Sequence, residues 1–175
     1  ADAMPNPNAT KTGYYLRKFL NENVNIQTGG GSDGHVVPLF RLAEIYLNYA
    51  EALNEYDPTN PDIAVYLNKI RERVSLPDVP SGLTQEQMRT LIHHERRVEL
   101  AFEEHRFWDV RRWKVASSTL GAPVKGVKIT QDDAGNFTYS PVQVEQRVFQ
   151  PKMYWYPIPQ SETLKLHHWE QNKGW

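Results

Sequence analysis

Between Leu39 and Tyr56 the apolar positions recur at helical spacing in two stripes. Leu39, Leu42, Ala43, Tyr46, Ala50 and Leu53 form one, and Ile45, Tyr49, Ala52 and Tyr56 form the other. Two apolar stripes predict a helix packed between two neighbours. Arg41, Glu44, Asn48, Glu51 and Glu55 make its polar face, and Asp57-Pro58 ends it, because proline has no amide for the ladder. A second helix is predicted over Asp62 to Val74, with Ile63, Leu67, Ile70 and Val74 inward. Arg71 and Arg73 lie toward its C-terminus, where cations suit the helix dipole. A short Pro-bearing turn makes the two helices antiparallel neighbours, the shape of one tetratricopeptide-like hairpin. No second unit recurs at a fixed period, so spacing alone predicts no repeat array.

Leu76 to Leu83 reads as a turn, and Thr84 with Gln87 then has the spacing of a capping box. These residues open the helix around which the chain is organised, predicted to run to about His105. Arg106 to Trp113 either extends it or bends into a turn. Met88, Leu91, Ile92, Val98 and Phe102 form its apolar stripe, and Glu95 and Glu99 fall inside that stripe. Glu95, Glu99 and Glu103 are also an i, i+4 row of like charges. At about 6 Å and an effective dielectric of about 20, each neighbouring pair repels by roughly 2 to 3 kcal/mol before screening. A partly buried row of this kind requires cations from other segments. Arginine is the natural partner, since its planar fork matches a carboxylate and stays charged. The expected structural network is Arg41, Glu44, Glu51, Arg71, Glu95, Glu99, Glu103, Arg106, Asp109 and Arg112. Within it Arg106, Asp109 and Arg112 can pair at i, i+3, and Trp108 lies one turn from Arg112, within stacking reach.

Beyond Trp113 the period changes to two. Val124 to Thr130 alternates, Asp132 to Asn136 has turn chemistry, and Phe137 to Phe149 alternates again, which predicts a β-hairpin or a long, partly stranded excursion. Tyr154-Trp155-Tyr156-Pro157-Ile158-Pro159 is an aromatic, proline-fixed tail, extended and excluded from the middle of a sheet, and Ser161 with Glu162 starts a short helical turn. At the other end, residues 1 to 12 are polar and loose, and Tyr14 to Phe19 is a short extended segment packing its aromatics onto the body. Gln27 to Gly34 contains Gly29-Gly30-Gly31; no Lys-Ser/Thr follows, so it reads as a linker and not as a phosphate-binding loop.

A chain of 175 residues, 39% hydrophobic, can bury one core, and a single domain over 1–175 is expected. It divides into a loop-rich lead-in over 1–38, a helical scaffold over 39–113, and the hairpin and tail over 114–175. A net charge of −1 gives no pull toward nucleic acid or an acidic membrane surface. Cysteine is absent, which removes disulfides, thiolate metal sites and a Cys nucleophile. No apolar run is long enough to span a bilayer. The opening ADAMPNPN reads as the start of a piece cut from something longer. Five Trp, nine Tyr and six Phe can fill a core or supply flat surfaces for sugars and peptides.

Paired carboxylates raise the possibility of glycoside hydrolysis. Glu95, Glu99 and Glu103, however, lie on one helix with arginines close by in sequence, which would hold them ionised, whereas a general acid needs a raised pKa in a cleft. No catalytic residue is assigned. His93-His94 and His167-His168 are sequence neighbours, which point about 100° apart on a helix and do not converge on one ion. No metal or cofactor is expected. Trp108 and Trp113 are expected in the core. Tyr139, Tyr154 and Trp155, in strand and loop context, are the candidate ligand contacts.

Several spaced motifs resemble the SusD/RagB family: Arg41-Leu-Ala-Glu-Ile-Tyr-Leu-Asn-Tyr-Ala-Glu-Ala52, Leu67-Asn-Lys-Ile-Arg-Glu-Arg73, Glu95-Arg-Arg-Val-Glu-Leu-Ala-Phe-Glu103, Arg106-Phe-Trp-Asp109, Arg112-Trp113, Tyr156-Pro-Ile-Pro159 and Gln171-Asn172. The likeness covers nearly the whole chain, in order, and matches the C-terminal part of a longer protein. Glu104 stands where a Gly is common, which predicts a straighter helix, and Lys173 replaces a Pro before the terminal Gly. The resemblance implies a mainly α fold, a tetratricopeptide-like α/α superhelix with a hairpin or irregular excursion and the aromatic-Pro tail. It further implies a non-catalytic, surface-exposed lipoprotein of the Bacteroidota outer membrane. Such a protein binds oligosaccharides or peptides and covers a SusC-like TonB-dependent transporter. Its lipid anchor sits at an N-terminus absent here. No ligand contact carries over residue by residue, and the matched motifs read as scaffold. The alternative from another class is a helical-hairpin module for protein–protein docking alone.

Overall fold

The computed structural model describes residues 10–21, 38–165 and 168–175. The glycine-rich stretch Gln27 to Gly34 and His167 lie outside them. The chain forms two compact units, one of residues 18–106 and one of residues 1–17 with 107–175.

The first unit is built on three helices, α1 (Leu42–Tyr56), α2 (Asp62–Glu72) and α3 (Gln85–Glu99), with α1 packed against both others. Its core is Leu47 and Ala50 of α1, Ile63, Leu67 and Ile70 of α2, Ile92 of α3, and Leu100. Each fully buried leucine or isoleucine contributes about 1.5 to 3 kcal/mol. The buried face of α1 includes the middle of the first predicted stripe, with Ala50 buried and Ala43, Tyr46 and Leu53 packed against the core, and it extends from there to Leu47 and the polar positions Glu44 and Asn54. Leu47 is fully buried, while Leu39, Leu42, Ile45, Tyr49 and Tyr56 are exposed, and the helix starts at Leu42. Val74 lies beyond the end of α2 and is half-exposed.

Local polar contacts fix the helix ends. Asn60 Oδ1 accepts the amide of Asp62 at 3.0 Å, at the start of α2. The capping box of α3 is complete, with Thr84 accepting from the Gln87 amide and Gln87 accepting from the Thr84 amide. Buried Asn54 donates to the Gln85 carbonyl at 3.2 Å, and the Gln85 side-chain amide donates back to the Asn54 carbonyl at 2.7 Å. These two bonds tie the end of α1 to the start of α3.

The organising helix stops at Glu99, six residues short of the expected His105. The carbonyl of its last residue is taken by side chains. Arg41 donates to the Glu99 carbonyl at 2.6 Å, and Lys18 donates to the carbonyls of Glu99 and Ala101 at 3.1 and 2.8 Å. The turn that follows carries Phe102 and Glu104 in the left-handed region, at φ 63° and 65°. Val98, still within α3, and Phe102, in the turn, both predicted inward, are exposed. Glu104 therefore does not straighten the helix; it occupies a conformation that suits glycine. A left-handed residue with a Cβ costs roughly 1 to 2 kcal/mol, of which the greater chain freedom of glycine returns about half. Glu104→Gly should raise stability by about 0.5 to 1 kcal/mol, read as a higher urea midpoint; a lower midpoint would contradict this account.

The second unit takes α4 (His105–Arg112) from Phe107 onward, α5 (Ala116–Thr119), β1 (Val124–Gln131), β2 (Phe137–Glu145), a 3-10 turn (Pro151–Tyr154) and α6 (Gln160–Thr163). β1 and β2 pair antiparallel, with Ile129 opposite Tyr139 and Gln131 opposite Phe137. Their turn is closed by Asp132, which accepts from the Asn136 amide at 2.8 Å, with Gly135 at φ 87°. Thr12 runs close against β1, its carbonyl accepting from the Val127 amide at 2.9 Å. Gly126 permits this approach, since a Cβ there would meet the Thr12 carbonyl oxygen at 2.7 Å. Tyr14 and Tyr15, expected to pack inward, are exposed. Two separated motifs meet in the tail. The Gln171 amide clasps the backbone of Ile158 on both sides, at 2.7 and 2.9 Å, and Asn172 donates to the Tyr156 carbonyl at 2.6 Å.

Candidate functional site

In the helical unit the polar face of α1 meets α3 and the turn after it rung by rung. Arg41 forks between Glu99 (2.6 Å) and Glu103 (2.6 and 2.7 Å). Asn48 accepts from Arg96 at 2.5 Å, and Glu55 from Arg89 at 2.7 Å. Glu44 lies 3.7 Å from His105, and Glu51 lies 3.9 Å from His93. Glu44 Oε2 is buried without a hydrogen bond. From elsewhere in the unit, Arg71 pairs with Glu95, Arg73 with Glu99 at 2.7 Å, and Lys18 with Glu103. Asp109 is buried in the second unit and accepts from Arg112 at 3.0 Å.

These contacts decide what the acidic row can do. Burial pushes the Glu103 carboxyl up, but the hydrogen bonds and charges of Arg41 and Lys18 outweigh it and hold the group below the usual glutamate range. The Glu55 carboxyl is likewise held down, chiefly by its bond to Arg89. Glu95, Glu99 and Glu103 each face at least one cation on the protein, which fits a framework and not a proton donor. No cluster of His, Asp or Glu among the described residues could hold a metal ion.

The candidate ligand contacts fall in the second unit. Tyr139 is exposed on β2, opposite Ile129. Tyr154 stands edge-on to Phe149 with ring centroids 4.9 Å apart, and its hydroxyl accepts from the Ser117 amide at 3.4 Å. Burial pushes that phenol up, yet the Ser117 bond, aided by the charge of Lys114, leaves it below the usual tyrosine value. Trp155 is 60% exposed. Lys114 joins these last two, its ammonium 4.7 Å from the Tyr154 ring and 4.8 Å from the Trp155 ring. Among the described residues no ring contact or hydrogen bond links Tyr139 to them.

Sequence reasoning missed the rest of this surface. Trp108, expected in the core, is 58% exposed and lies 6.5 Å from the Tyr156 ring. Arg112 sits over Trp113, at 4.9 Å. Trp175 donates its indole N–H to the carbonyls of Lys152 and Trp155, at 3.0 and 3.1 Å, and the Lys152 ammonium covers its ring at 4.5 Å. Only the i, i+4 pair Phe107 and Arg111, now stacked at 3.5 Å, had a readable local spacing. Lys114, Lys152 and Trp175 come together across long sequence gaps.

A helical hairpin scaffold whose acidic row is met by cations, beside a small hairpin unit with open aromatic surface, defines a mainly α protein. The model of the SusD family matches residues 1–175, and the chain belongs to that family. SusD-like protein P2 of Formosa agariphila is 36% identical over 100 residues, covering 53% of this chain and 20% of that protein. SusD-like protein P25 of the same organism is 40% identical over 106 residues, 58% of this chain and 19% of that one. The crystal structure of a SusD-like protein from Bacteroides fragilis superposes with a TM-score of 0.68 at 36% identity, over 78% of this chain and 25% of that one. The chain thus spans about a fifth to a quarter of these relatives' own length. Family members are binding proteins and not enzymes. No described helix is long and apolar enough to cross a membrane.

Proposed function

We propose that this chain is the scaffold part of a non-catalytic, SusD-like binding protein that captures an oligosaccharide or peptide and delivers it to a SusC-like TonB-dependent transporter. Family membership over 1–175 carries the reading. The neutralised acidic row agrees with it, because a framework of ion pairs leaves the carboxylates no role in bond cleavage. Surface display on the outer membrane would come from a lipid at the N-terminus of the longer protein. Capture would work by stacking aromatic rings on sugar faces, with hydrogen bonds to hydroxyls. Tyr139, Tyr154 and Trp155 remain the proposed contacts from this chain.

Calorimetry of the longer protein against a panel of oligosaccharides and peptides should show saturable binding with no turnover. Pull-down from outer membranes should recover a TonB-dependent transporter. Absence of any ligand, or release of reducing ends, would overturn the reading. One observation favours a second reading, docking to protein alone: Ile45, Tyr49 and Tyr56 leave an apolar stripe of α1 exposed. Transporter recovery without any small ligand would select it.

A further inference from the structure

The geometry points to an anion-selective subsite on the second unit, formed by Lys114, Trp155, Trp175 and Lys152, that takes an acidic oligosaccharide, a sugar chain bearing carboxylate or sulfate groups. This rests on the glycan-binding reading and narrows its ligand class.

Three observations converge. The first is chemical composition. Residues 1–17 and 107–175 carry eleven Lys and Arg against seven Asp and Glu, while residues 18–106 carry nine against fourteen. The near-neutral total conceals a basic unit and an acidic one, and a basic surface raises the local concentration of anions. The second is pairing. In the acidic unit the cations Lys18, Arg41, Arg71, Arg73 and Arg89 all meet carboxylates. Among the described residues neither Lys114 nor Lys152 does; each ammonium is held instead against aromatic rings, at 4.5 to 4.8 Å. The third is position. Trp155 and Trp175 are exposed and bound to each other through the indole N–H of Trp175. Lys114 sits at φ 59°, a left-handed conformation at the end of α4 where glycine or asparagine is the usual residue. The lysine at that position supplies a side chain that glycine lacks.

Together these features match a pyranose with an anionic substituent. The indoles offer apolar surface to the C–H face of the ring, and the two ammonium groups, already oriented by the aromatic rings, offer donors to a carboxylate or sulfate. A neutral sugar would use the first feature and leave the second idle.

The test is quenching of Trp fluorescence in the full chain by oligogalacturonate, with maltohexaose as the uncharged comparison. Oligogalacturonate should bind at least tenfold tighter than maltohexaose, and its affinity should fall several-fold between 20 and 200 mM NaCl, about the range over which screening sets in. Lys114→Gln with Lys152→Gln should remove most of the preference for the acidic sugar, and Lys114→Arg with Lys152→Arg should restore it. Thermal melts of both double variants guard against loss of fold; if the Gln pair unfolds, the salt dependence and the Arg pair still decide. Equal affinity for both sugars overturns the subsite and leaves the glycan-binding reading standing. No binding of either sugar by the chain also overturns the subsite, while the longer protein's own ligand panel decides the broader reading.

Discussion

Arg41→Ala is expected to lower the unfolding free energy of the helical unit by about 3 kcal/mol. The estimate takes the lower end of the range for breaking a buried ion pair, about 3 to 5 kcal/mol, because the Arg41 side chain is 27% exposed. Its fork bridges the carboxylates of Glu99 and Glu103, and it also takes the Glu99 carbonyl at the end of α3. Without it the two carboxylates sit one turn apart on the residual help of Arg73 and Lys18. Adding Glu103→Gln to the Arg41→Ala chain should return about 1 kcal/mol or more, since the repulsion is relieved. Arg41→Lys should recover only part of the loss, because one ammonium does not reproduce a fork. Urea denaturation measures all three. A loss below about 1 kcal/mol for Arg41→Ala would mean that the pairing contributes no more than ordinary surface charges do.

Acid should unfold the same unit by the same contacts. The Glu103 carboxyl titrates in the folded chain below the ordinary glutamate value of about 4.5. On lowering the pH, the unfolded chain therefore takes up protons before the folded one does. The stabilisation is complete above the unfolded value and is withdrawn as the pH falls through the folded one. Each unit of such depression corresponds to about 1.4 kcal/mol, and Glu103 is screened little because its side chain is only 4% exposed. Glu55 shifts in the same direction but adds less, as its side chain is 47% exposed. The urea midpoint should hold from pH 7 to about 5 and drop steeply toward pH 3. Glu103→Gln should start lower at pH 7 and show a flatter descent. A midpoint unchanged at pH 3 would sink the assignment.

How far the sequence could be read varied with the range of the interactions involved. Local signals held: Thr84 and Gln87 cap α3 as their spacing requires, and the Asp132 to Asn136 turn joins two paired strands. The buried side of α1 was legible in part. Ala43, Tyr46, Ala50 and Leu53 of the first apolar stripe pack on the core, but periodicity does not say how far round the helix the contact reaches. Contact with α2 and α3 extends it past Leu47 to the polar side and draws in Glu44 and Asn54, which no hydropathy pattern would place inside. The end of α3 was hidden. Arg41 and Lys18, which take the Glu99 carbonyl, lie 58 and 81 residues away from it in sequence. For the candidate ligand surface, Tyr154 and Trp155 could be picked out as loop aromatics, but the lysines set against them and against Trp175 could not. Their partners are fixed by the return of the chain after the hairpin and leave no mark on local spacing.

The hairpin turn has a practical consequence. Asp132 and Asn136 close it through their own side chains and backbone, and residues 131 to 137 are all exposed. A peptide epitope or a dye inserted between Asp133 and Ala134 would thus hang from a self-contained bend that carries none of the core. That gives a reporter position for following this unit in solution while the indoles are left to report on sugars.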